Sequence, residues 1–354
     1  MNRDRRQVLV TGDQGYIGTV LSMLLAQRNY AVRGLDSGYY ADCLLGPVEQ
    51  GYPHLKRDIR DINADDLRGI SDVVHLAALS NDPLGELSPG LTEKINLEAT
   101  IKLAIHARQA GVCRFVYASS QSMYGIASSG HELDEDESEK HPITAYARTK
   151  WEAELRLKEL ASDDFTVVCF RPSTVFGASP RLRCDIVFNN LVACAYTTGR
   201  IEIKSDGTPW RPVVHVRDVC AALIAGLEAP RELISGRSYN VGIAGGNFTV
   251  RDLAEAARRA VPGSTITYTG EHGRDARTYR VSFARICSEL RDWYRPEWGL
   301  DRGAEELVAL FRNTGFTEKQ FRGRLTNRLA QLKYLMDSER LDATLRWKNA
   351  RATV

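Results

Sequence analysis

The chain has 354 residues, of which 43% are apolar and 26% charged, and its 47 Lys and Arg nearly balance its 45 Asp and Glu. This length suits one large domain or two coupled domains around a sizeable core, and the net charge of +2 excludes a general nucleic-acid or membrane-surface binder. No apolar run approaches the roughly 18 residues of a membrane helix, and the short apolar run near the start does not fit a signal peptide.

Short apolar runs alternate with amphipathic stretches in the first half of the chain. We predict strands over 7–12, 31–36, 73–78, 113–120 and 166–177, and helices over 17–27 and 91–111. Strands separated by helices of about 10 to 20 residues form βαβ units, so the sequence predicts a parallel sheet with helices on both faces. Right-handed crossovers then place the functional loops at the carboxyl ends of the strands.

The alternation is less regular after residue 177. We predict a strand and a helix within 211–229, a strand over 238–242 and a helix over 249–261. The acidic stretch 131–140 predicts a solvated loop, with the rim of a site as the alternative. The last stretch, 319–354, has nine Lys/Arg and three Asp/Glu. It predicts a helical pair with a solvated basic face, with a phosphate-contacting role as the alternative.

Cysteine and histidine spacing indicates the compartment and the chemistry. The seven cysteines are scattered without CxxC spacing, which predicts reduced, mostly buried thiols in a cytoplasmic protein. The seven histidines show neither HxxxH nor HExxH spacing, so we expect no metal site.

The segment TGDQGYIG (11–18) follows the first predicted strand and opens the first predicted helix. Gly12 permits a tight turn, Gly15 lets backbone N–H groups approach a pyrophosphate, and Gly18 lets the helix pack closely on the strand. The helix N-terminus supplies amide donors and a positive dipole end for the phosphates. The segment therefore predicts a dinucleotide-binding loop.

Asp36 closes the second predicted strand, 18 residues after Gly18. A carboxylate in this place is expected to accept hydrogen bonds from the adenosine ribose. It also repels a 2′-phosphate, so NAD is favoured over NADP. An ordinary strand-end cap is the alternative interpretation.

The segment YARTK (146–150) puts Tyr146 and Lys150 one helical turn apart on the same face. A free tyrosine has a pKa near ~10 and is a poor base at neutral pH. The positive charge of Lys150, and of an oxidised nicotinamide ring, would favour the phenolate. Tyr146 then becomes a general acid/base, although a surface pair is the usual explanation of an isolated YxxxK.

Two serines follow the predicted strand that precedes this segment. Ser119 and Ser120 are expected at the carboxyl edge of the sheet, where a hydroxyl can hydrogen-bond the substrate oxygen that changes oxidation state. Serines that cap a turn are the competing interpretation. We favour the catalytic role for this pair of serines.

Taken together, these motifs resemble the extended short-chain dehydrogenase/reductases of the nucleotide-sugar epimerase/dehydratase family, of the UDP-glucose 4-epimerase type. The matching stretches run in the family order and cover most of residues 7–285. Besides the segments above they are RDIRD (57–61), HLAA (75–78), INLEAT (95–100), SSQSMYG (119–125), RPSTVFG (171–177), NNL (189–191) and RPVVHVRD (211–218).

The resemblance implies an α/β fold: a Rossmann doubly wound parallel sheet with a smaller C-terminal α/β substrate-binding region. The NAD-binding domain would span 1–177, with roughly 211–242 added to its core. The substrate-binding region would comprise 178–210 and 243–318, and residues 319–354 would form a basic helical extension.

The resemblance also assigns roles position by position. Asn96 matches a residue that helps to fix the active-site backbone and Lys150. Residues matching cofactor contacts are Gly12, Gly15, Tyr16, Ile17, Gly18, Asp36, Asp58, Ile59, Leu76, Ala77, Ala78, Asn96, Ser119, Tyr146, Lys150, Pro172 and Ser173. Ser120 matches the catalytic Ser/Thr of the family, which acts with Tyr146 and Lys150. Residues matching substrate contacts are Ser120, Asn190, Arg211, Arg274 and Arg277.

Two positions depart from the dehydratases of the family, which carry an Asp-Glu pair directly after the catalytic Thr. Here Gln121 and Ser122 stand in those positions, and neither can protonate a leaving hydroxyl. We therefore expect an NAD-dependent nucleotide-sugar epimerase, acting at C4 through a 4-keto sugar. A one-way NAD(P)H-dependent 4-keto reductase or dehydrogenase of a (6-deoxy) nucleotide sugar is the near alternative, and a non-catalytic dinucleotide-binding protein the distant one.

The expected partner is a nucleotide-diphosphate sugar, with no nucleic acid and no membrane. The resemblance further implies a homodimer formed through the helix after Leu91 and the helix that carries Tyr146. His215 and Asp218 match a family segment that we interpret as packing rather than catalysis.

Overall fold

A computed structural model describes residues 6–48, 51–125, 131–269 and 278–348. Its strands are β1 (Gln7–Thr11), β2 (Ala31–Asp36), β3 (His54–Lys56), β4 (Asp72–His75), β5 (Arg114–Ala118), β6 (Thr166–Pro172), β7 (Thr174–Phe176), β8 (Arg200–Ile203), β9 (Trp210–His215), β10 (Arg237–Val241), β11 (Asn247–Thr249) and β12 (Thr265–Tyr268). Its helices are α1 (Tyr16–Gln27), α2 (Asp82–Gly85), α3 (Pro89–Glu93), α4 (Ala99–Gln109), α5 (Ala145–Glu159), α6 (Val187–Thr198), α7 (Val216–Glu228), α8 (Arg231–Ile234), α9 (Val250–Ala260), α10 (Ala284–Glu289), α11 (Leu300–Thr314), α12 (Glu318–Arg322) and α13 (Arg328–Asp337).

The central sheet has seven parallel strands in the order β10-β6-β5-β4-β1-β2-β3. The strand order reverses between β1 and β4, which is where doubly wound sheets open a crevice beyond the carboxyl ends of their strands. The expected Rossmann sheet is therefore confirmed. Two smaller sheets, β11-β9-β7 and β12-β8, complete the topology of the described residues.

Both faces of the central sheet are covered by helices. Along β1, Val8 and Val10 belong to a buried cluster that includes residues of α1 and α7, whereas Leu9 belongs to the cluster that includes residues of α4 and α5. Successive side chains of a strand point to opposite faces, so a strand covered on both faces has to be apolar throughout. This is why the apolar runs predicted the sheet.

Most predicted elements occur where the sequence placed them, with two differences. The stretch 166–177 is not one strand: β6 ends at Pro172, and β7 joins the β11-β9-β7 sheet. Ser173 lies between them, and its N–H donates to the Val241 carbonyl at the end of the pairing between β6 and β10. The predicted helix 91–111 begins at Pro89 and contains one π-helical turn, Lys94–Glu98, between α3 and α4.

The acidic stretch 131–140 is less solvated than predicted. Leu133 is buried and bridges to Val281, and Glu135 is buried with its carboxylate accepting the Asn240 N–H. These contacts tie the stretch to the edge strand β10 and to residues 280–282. None of the described residues in 131–140 lines the cavity at the carboxyl edge of the central sheet.

The C-terminal stretch contains the predicted helical pair, α12 and α13. The proposed domain limits at 177, 210, 242 and 318 remain predictions. Among the described residues, no helix is both long enough and apolar enough to cross a membrane.

Candidate active site

A cavity of about 460 Å³ lies at the carboxyl edge of the central sheet. Its walls come from the segments that follow β1, β2, β4, β5 and β6, together with α5. Eighteen of the predicted site residues line it: Gly12, Gly15, Tyr16, Ile17, Gly18, Asp36, Asp58, Ile59, Leu76, Ala77, Ala78, Ser119, Ser120, Tyr146, Lys150, Pro172, Ser173 and Arg211.

The glycine turn after β1 is packed too closely to admit side chains. Gly12 has φ +75°, and a Cβ there would lie 2.9 Å from the Ala77 nitrogen. A Cβ on Gly18 would lie 2.0 Å from the Gly12 carbonyl oxygen. Gly15 is the N-cap of α1, and no side chain caps the first turn of this helix. The amide donors of that turn are thus left for a ligand at the cavity wall.

Asp36 ends β2 at the cavity wall, and its carboxylate accepts the Gly38 N–H at 2.7 Å. Desolvation raises the pKa of Asp36, whereas the hydrogen bond from Gly38 lowers it. Asp58 is engaged more fully, because Arg60 contacts both of its carboxylate oxygens at 2.9 and 2.6 Å. The predicted adenine contact of Asp58 remains a prediction.

Tyr146 and Lys150 lie on α5, which begins where Thr144 caps the helix by accepting the Ala147 N–H. Lys150 is buried, and its Nζ donates to the Ala118 carbonyl oxygen at 2.7 Å. Burial lowers the pKa of Lys150 to about 7. Its charge is therefore sensitive to pH near neutrality.

Tyr146 is partly exposed at the cavity wall. Desolvation raises the pKa of Tyr146, while the hydrogen bond with Ser120 and the positive charge of Arg183 lower it. Ser120 also accepts the Ser122 N–H at 3.1 Å, which fixes its position at the end of β5. These contacts bring a phenol, a hydroxyl and a buried amine to one cavity, which is the combination needed for proton transfer at a carbinol.

Gln121 and Ser122, the two departures from the dehydratase pattern, also line the cavity. Gln121 is buried: its amide nitrogen donates to the Arg171 carbonyl, and its amide oxygen accepts the Ser173 hydroxyl. Its side chain is therefore a neutral, structurally engaged amide. Neither position supplies an acid.

Four predicted residues are not among those lining the cavity. Asn96 is buried in the π-helical turn, where its amide bonds to both the N–H and the carbonyl of Leu79. Asn190 is exposed on α6, and its amide donates to the Cys184 carbonyl. Arg274 and Arg277 lie outside the described residues. The roles assigned to these four remain predictions.

Several cavity residues escaped the sequence analysis. Arg183 makes a two-point contact with Asp185, at 2.9 and 3.1 Å, and donates to the Ser80 hydroxyl. Asp82 accepts the hydroxyl of Thr144, the cap of α5. The charged segment RLRCD (181–185) after β7 could have indicated a site. Its local sequence does not show which of its charged side chains point into the cavity.

Arg328 is a second omission, and it comes from the C-terminal stretch. It is the first residue of α13, is buried, and lines the cavity. The predicted solvated basic face of this stretch is therefore wrong at Arg328, whereas the alternative, a phosphate-contacting role, stays a prediction.

A buried ion pair supports α5 from below. Glu154, one turn beyond Lys150, contacts Arg171 of β6 at 2.6 Å, and Ser238 of β10 donates to the same carboxylate. Arg171 lowers the pKa of Glu154 against the raising effect of burial. The pair fixes the helix that carries Tyr146 against two strands of the sheet.

His215 and Asp218 make contacts between segments of the fold, and their interpretation as packing rather than catalytic residues stays a prediction. His215 stacks on Trp298 at 4.1 Å between ring centroids and contacts Glu306, whereas Asp218 accepts the N–H groups of Glu297 and Trp298. Neither lines the cavity. Among the described residues, no group of three or more His, Cys, Asp or Glu side chains could hold a metal ion.

The residues present fit a dinucleotide. The glycine turn and the uncapped first turn of α1 leave room and donors for a pyrophosphate. Asp36 stands at the end of β2, where a ribose is expected. The Ser119 hydroxyl, also in the cavity wall, is buried without a partner among the described residues.

Comparison with known proteins agrees with this geometry. The model of the NAD dependent epimerase/dehydratase family matches residues 8–242. The UDP-glucose 4-epimerase of Mycolicibacterium smegmatis is 30% identical over 324 residues, which cover 87% of this chain and 99% of that protein.

Two solved structures extend the comparison. MoeE5 in complex with UDP-glucose and NAD is 28% identical, with a TM-score of 0.73, over 87% of this chain and 99% of its own. DesIV from Streptomyces venezuelae, a dTDP-glucose 4,6-dehydratase with NAD bound, is 25% identical, with a TM-score of 0.74, over 89% of this chain and 99% of its own. The likeness thus spans both epimerases and dehydratases.

Proposed function

The chain belongs to the NAD dependent epimerase/dehydratase family, and we propose that it is a nucleotide-sugar epimerase that inverts C4 through a transient 4-keto sugar. A nucleotide-sugar substrate is supported by relatives such as MoeE5, which binds UDP-glucose. The observation that carries epimerisation over dehydration is the neutral pair Gln121 and Ser122 in the cavity wall.

NAD would be held by the glycine turn, by the first turn of α1 and by Asp36. When bound, it supplies reversible two-electron oxidation at a sugar carbon. Asp36 favours NAD over NADP, because a carboxylate at the end of β2 in the cavity wall repels a 2′-phosphate.

Tyr146 would take the proton of the sugar 4-hydroxyl and return it after the ring has turned. The Ser120 hydroxyl and the charge of Arg183 favour its phenolate, and protonated Lys150 adds a further positive charge on the same helix face. Ser120 would hold the C4 oxygen as its charge changes. Arg211, in the cavity wall, would anchor the substrate diphosphate while the sugar turns.

The test is incubation of the purified protein, without added cofactor, with UDP-, dTDP-, GDP- and CDP-sugars. We expect mass-neutral conversion of one of them to its C4 epimer. Turnover only with added NADH or NADPH would instead establish the reductase, and loss of water would establish a dehydratase.

Tyr146→Phe is the matched variant. It should lower kcat by about 10²- to 10⁴-fold, because it removes the proton-transferring oxygen, while the NAD content of the protein stays that of the wild type. A variant with full turnover would contradict the assignment of Tyr146.

We further propose a homodimer in the cytoplasm. Ile105 of α4 and Leu155 of α5 are 40% and 43% exposed on helices that the family resemblance places at the subunit interface. All seven cysteines lie within the described residues as free thiols, as expected in a reducing compartment.

A further inference from the structure

The C-terminal segment, residues 323–348, docks against the loop that follows Asp36. The Gln331 amide donates to the Tyr39 carbonyl at 3.0 Å, and the Tyr39 hydroxyl donates to the Leu345 carbonyl at 2.5 Å. The Trp347 indole donates to the Ser37 carbonyl at 2.7 Å. Since Ser37 and Tyr39 line the cavity, this segment supports one of its walls.

The same segment brings Arg328 to the cavity. This side chain is only 2% exposed, its guanidinium lies 4.7 Å from the centre of the Tyr40 ring, and Nη2 donates to the Arg181 carbonyl at 2.6 Å. Nη1 is buried and has no hydrogen-bond partner among the described residues.

No carboxylate of the described residues forms an ion pair with Arg328, although Asp185 lies close enough to raise its pKa. The nearby carboxylate of Asp185 is bound by the guanidinium of Arg183. From Arg328 it accepts a hydrogen bond from the backbone N–H and none from the guanidinium. A buried charge without a partner is costly. Burial and the positive charge of Arg183 accordingly lower the pKa of Arg328. One guanidinium nitrogen is thus buried without a partner, and the charge of Arg328 is offset only in part by Asp185.

We propose that Arg328 binds a phosphoryl group of the ligand that occupies the cavity, so that the C-terminal segment is part of the binding site. A guanidinium matches phosphate oxygens with paired donors. The proposal rests on the proposed function, because a dinucleotide and a nucleotide sugar both carry a diphosphate. Either one can supply the phosphoryl group.

The experiment compares Arg328→Met and Arg328→Lys with a matched control, Arg324→Met. Arg324 belongs to the same segment and also stacks on a tyrosine, with its guanidinium 4.3 Å from the Tyr334 ring, but it does not line the cavity. Full-length protein freed of bound nucleotide is titrated calorimetrically with NAD, ADP and adenosine, and separately with UDP and uridine.

We expect Arg328→Met to weaken the binding of one group of phosphate-bearing ligands, either NAD and ADP or UDP, by about 10- to 100-fold. The affinities for adenosine and uridine should be unchanged. Loss confined to NAD and ADP identifies the dinucleotide diphosphate, and loss confined to UDP identifies that of the nucleotide sugar. Arg328→Lys should lose less, and Arg324→Met should stay within about twofold of the wild type.

Equal losses of affinity for the phosphate-free nucleosides, or no loss beyond that of Arg324→Met, would overturn the proposal.

Thermal melting of the ligand-free protein gives an independent readout. Arg328→Met should melt at or above the wild-type temperature, since it removes an unpaired buried charge. A much lower melting temperature, or failure to fold, would assign Arg328 a structural role and refute the proposal. Absence of epimerisation by the wild type, with these binding losses intact, would refute only the proposed function.

Discussion

Folding changes the ionisation of Lys150 strongly. Its amine is buried on α5 with one hydrogen bond to the Ala118 carbonyl, and it lies 4.7 Å from the centre of the Tyr117 ring. No carboxylate of the described residues forms an ion pair with it, and burial lowers its pKa to about 7 from an ordinary value of 10.5. The charged form of Lys150 is therefore held at a cost in stability.

This cost has a definite pH dependence. Between about pH 7 and 10.5 the unfolded chain binds a proton on Lys150 that the folded protein does not, so this residue makes stability rise with pH over that window. Lys150→Met should therefore raise the free energy of unfolding at pH 7 by about 2–4 kcal/mol, after allowance for the lost hydrogen bond. The gain should shrink as the pH approaches 10.

Denaturant unfolding of cofactor-free wild type and variant across this pH range measures the difference. A pH-independent difference would contradict the lowered pKa of Lys150. The same variant should lose most of its turnover, because the phenolate of Tyr146 loses its neighbouring charge.

At the level of elements, the position of α5 is fixed at both ends. The Thr144 hydroxyl caps it and donates to Asp82, and Glu86 accepts the Ala145 N–H at 2.6 Å. Farther along, Glu154 pairs with Arg171 of β6. The helix that carries Tyr146 and Lys150 is thus held by α2 at its start and by the sheet beyond Lys150.

Close packing between α2 and α5 makes Gly85 sensitive to substitution. A Cβ on Gly85 would lie 2.9 Å from the Tyr146 Cβ and 3.0 Å from its backbone nitrogen, so one helix has to shift. Gly85→Ala should lower kcat by roughly 10- to 100-fold, since displacements near 1 Å are enough to disturb reacting geometry. NAD content should be unchanged.

Gly90→Ala is the control, because it is also a helical glycine, and a Cβ there meets nothing within 4 Å. Both substitutions gain similar helix propensity, so steady-state kinetics of the two isolate the contact with Tyr146. Equal activity of the two variants would show that α2 does not position the tyrosine.

The sequence predicted the glycine turn and Asp36 in the cavity wall, but it did not predict which arginines line the cavity. Gly12, Gly15, Gly18 and Asp36 are placed by β1 and β2 through short spacings that leave little freedom. Arg183 and Arg328 were missed, because whether an arginine faces solvent or a cavity depends on segments far away in the chain. The sequence around Arg328 is compatible with an arginine that faces solvent and equally with one that faces the cavity.

At the scale of the whole molecule, the helices that cover the central sheet leave the outer sides of α4 and α5 as a surface with exposed apolar side chains. Ile105 and Leu155 lie there, beside a groove also lined by Ile101 and Arg156. An apolar patch of this kind on paired helices is typical of a subunit interface.

Ile105→Glu should convert the dimer into a monomer, because it places a charge in the buried centre of that interface. Met23→Glu on α1 is the matched control, since Met23 is 38% exposed on the other face of the molecule and should leave the dimer intact. Sedimentation velocity distinguishes the two. A wild type that sediments as a monomer, or dissociation by both variants, would contradict this interface.

The sequence by itself determined the alternation of strands and helices, the glycine turn, Asp36 and the Tyr146–Lys150 spacing, since each depends on contacts within about one turn or one βα unit. Only the tertiary structure decided that the strand predicted over 166–177 divides at Ser173 and that Glu135 is buried. It alone brought Arg328 of the C-terminal segment to a cavity whose other walls lie in the first 211 residues and at Tyr279. The physical reason is that periodicity records which face of an element is apolar, whereas the partner of a buried charge is chosen by packing between segments distant in the chain.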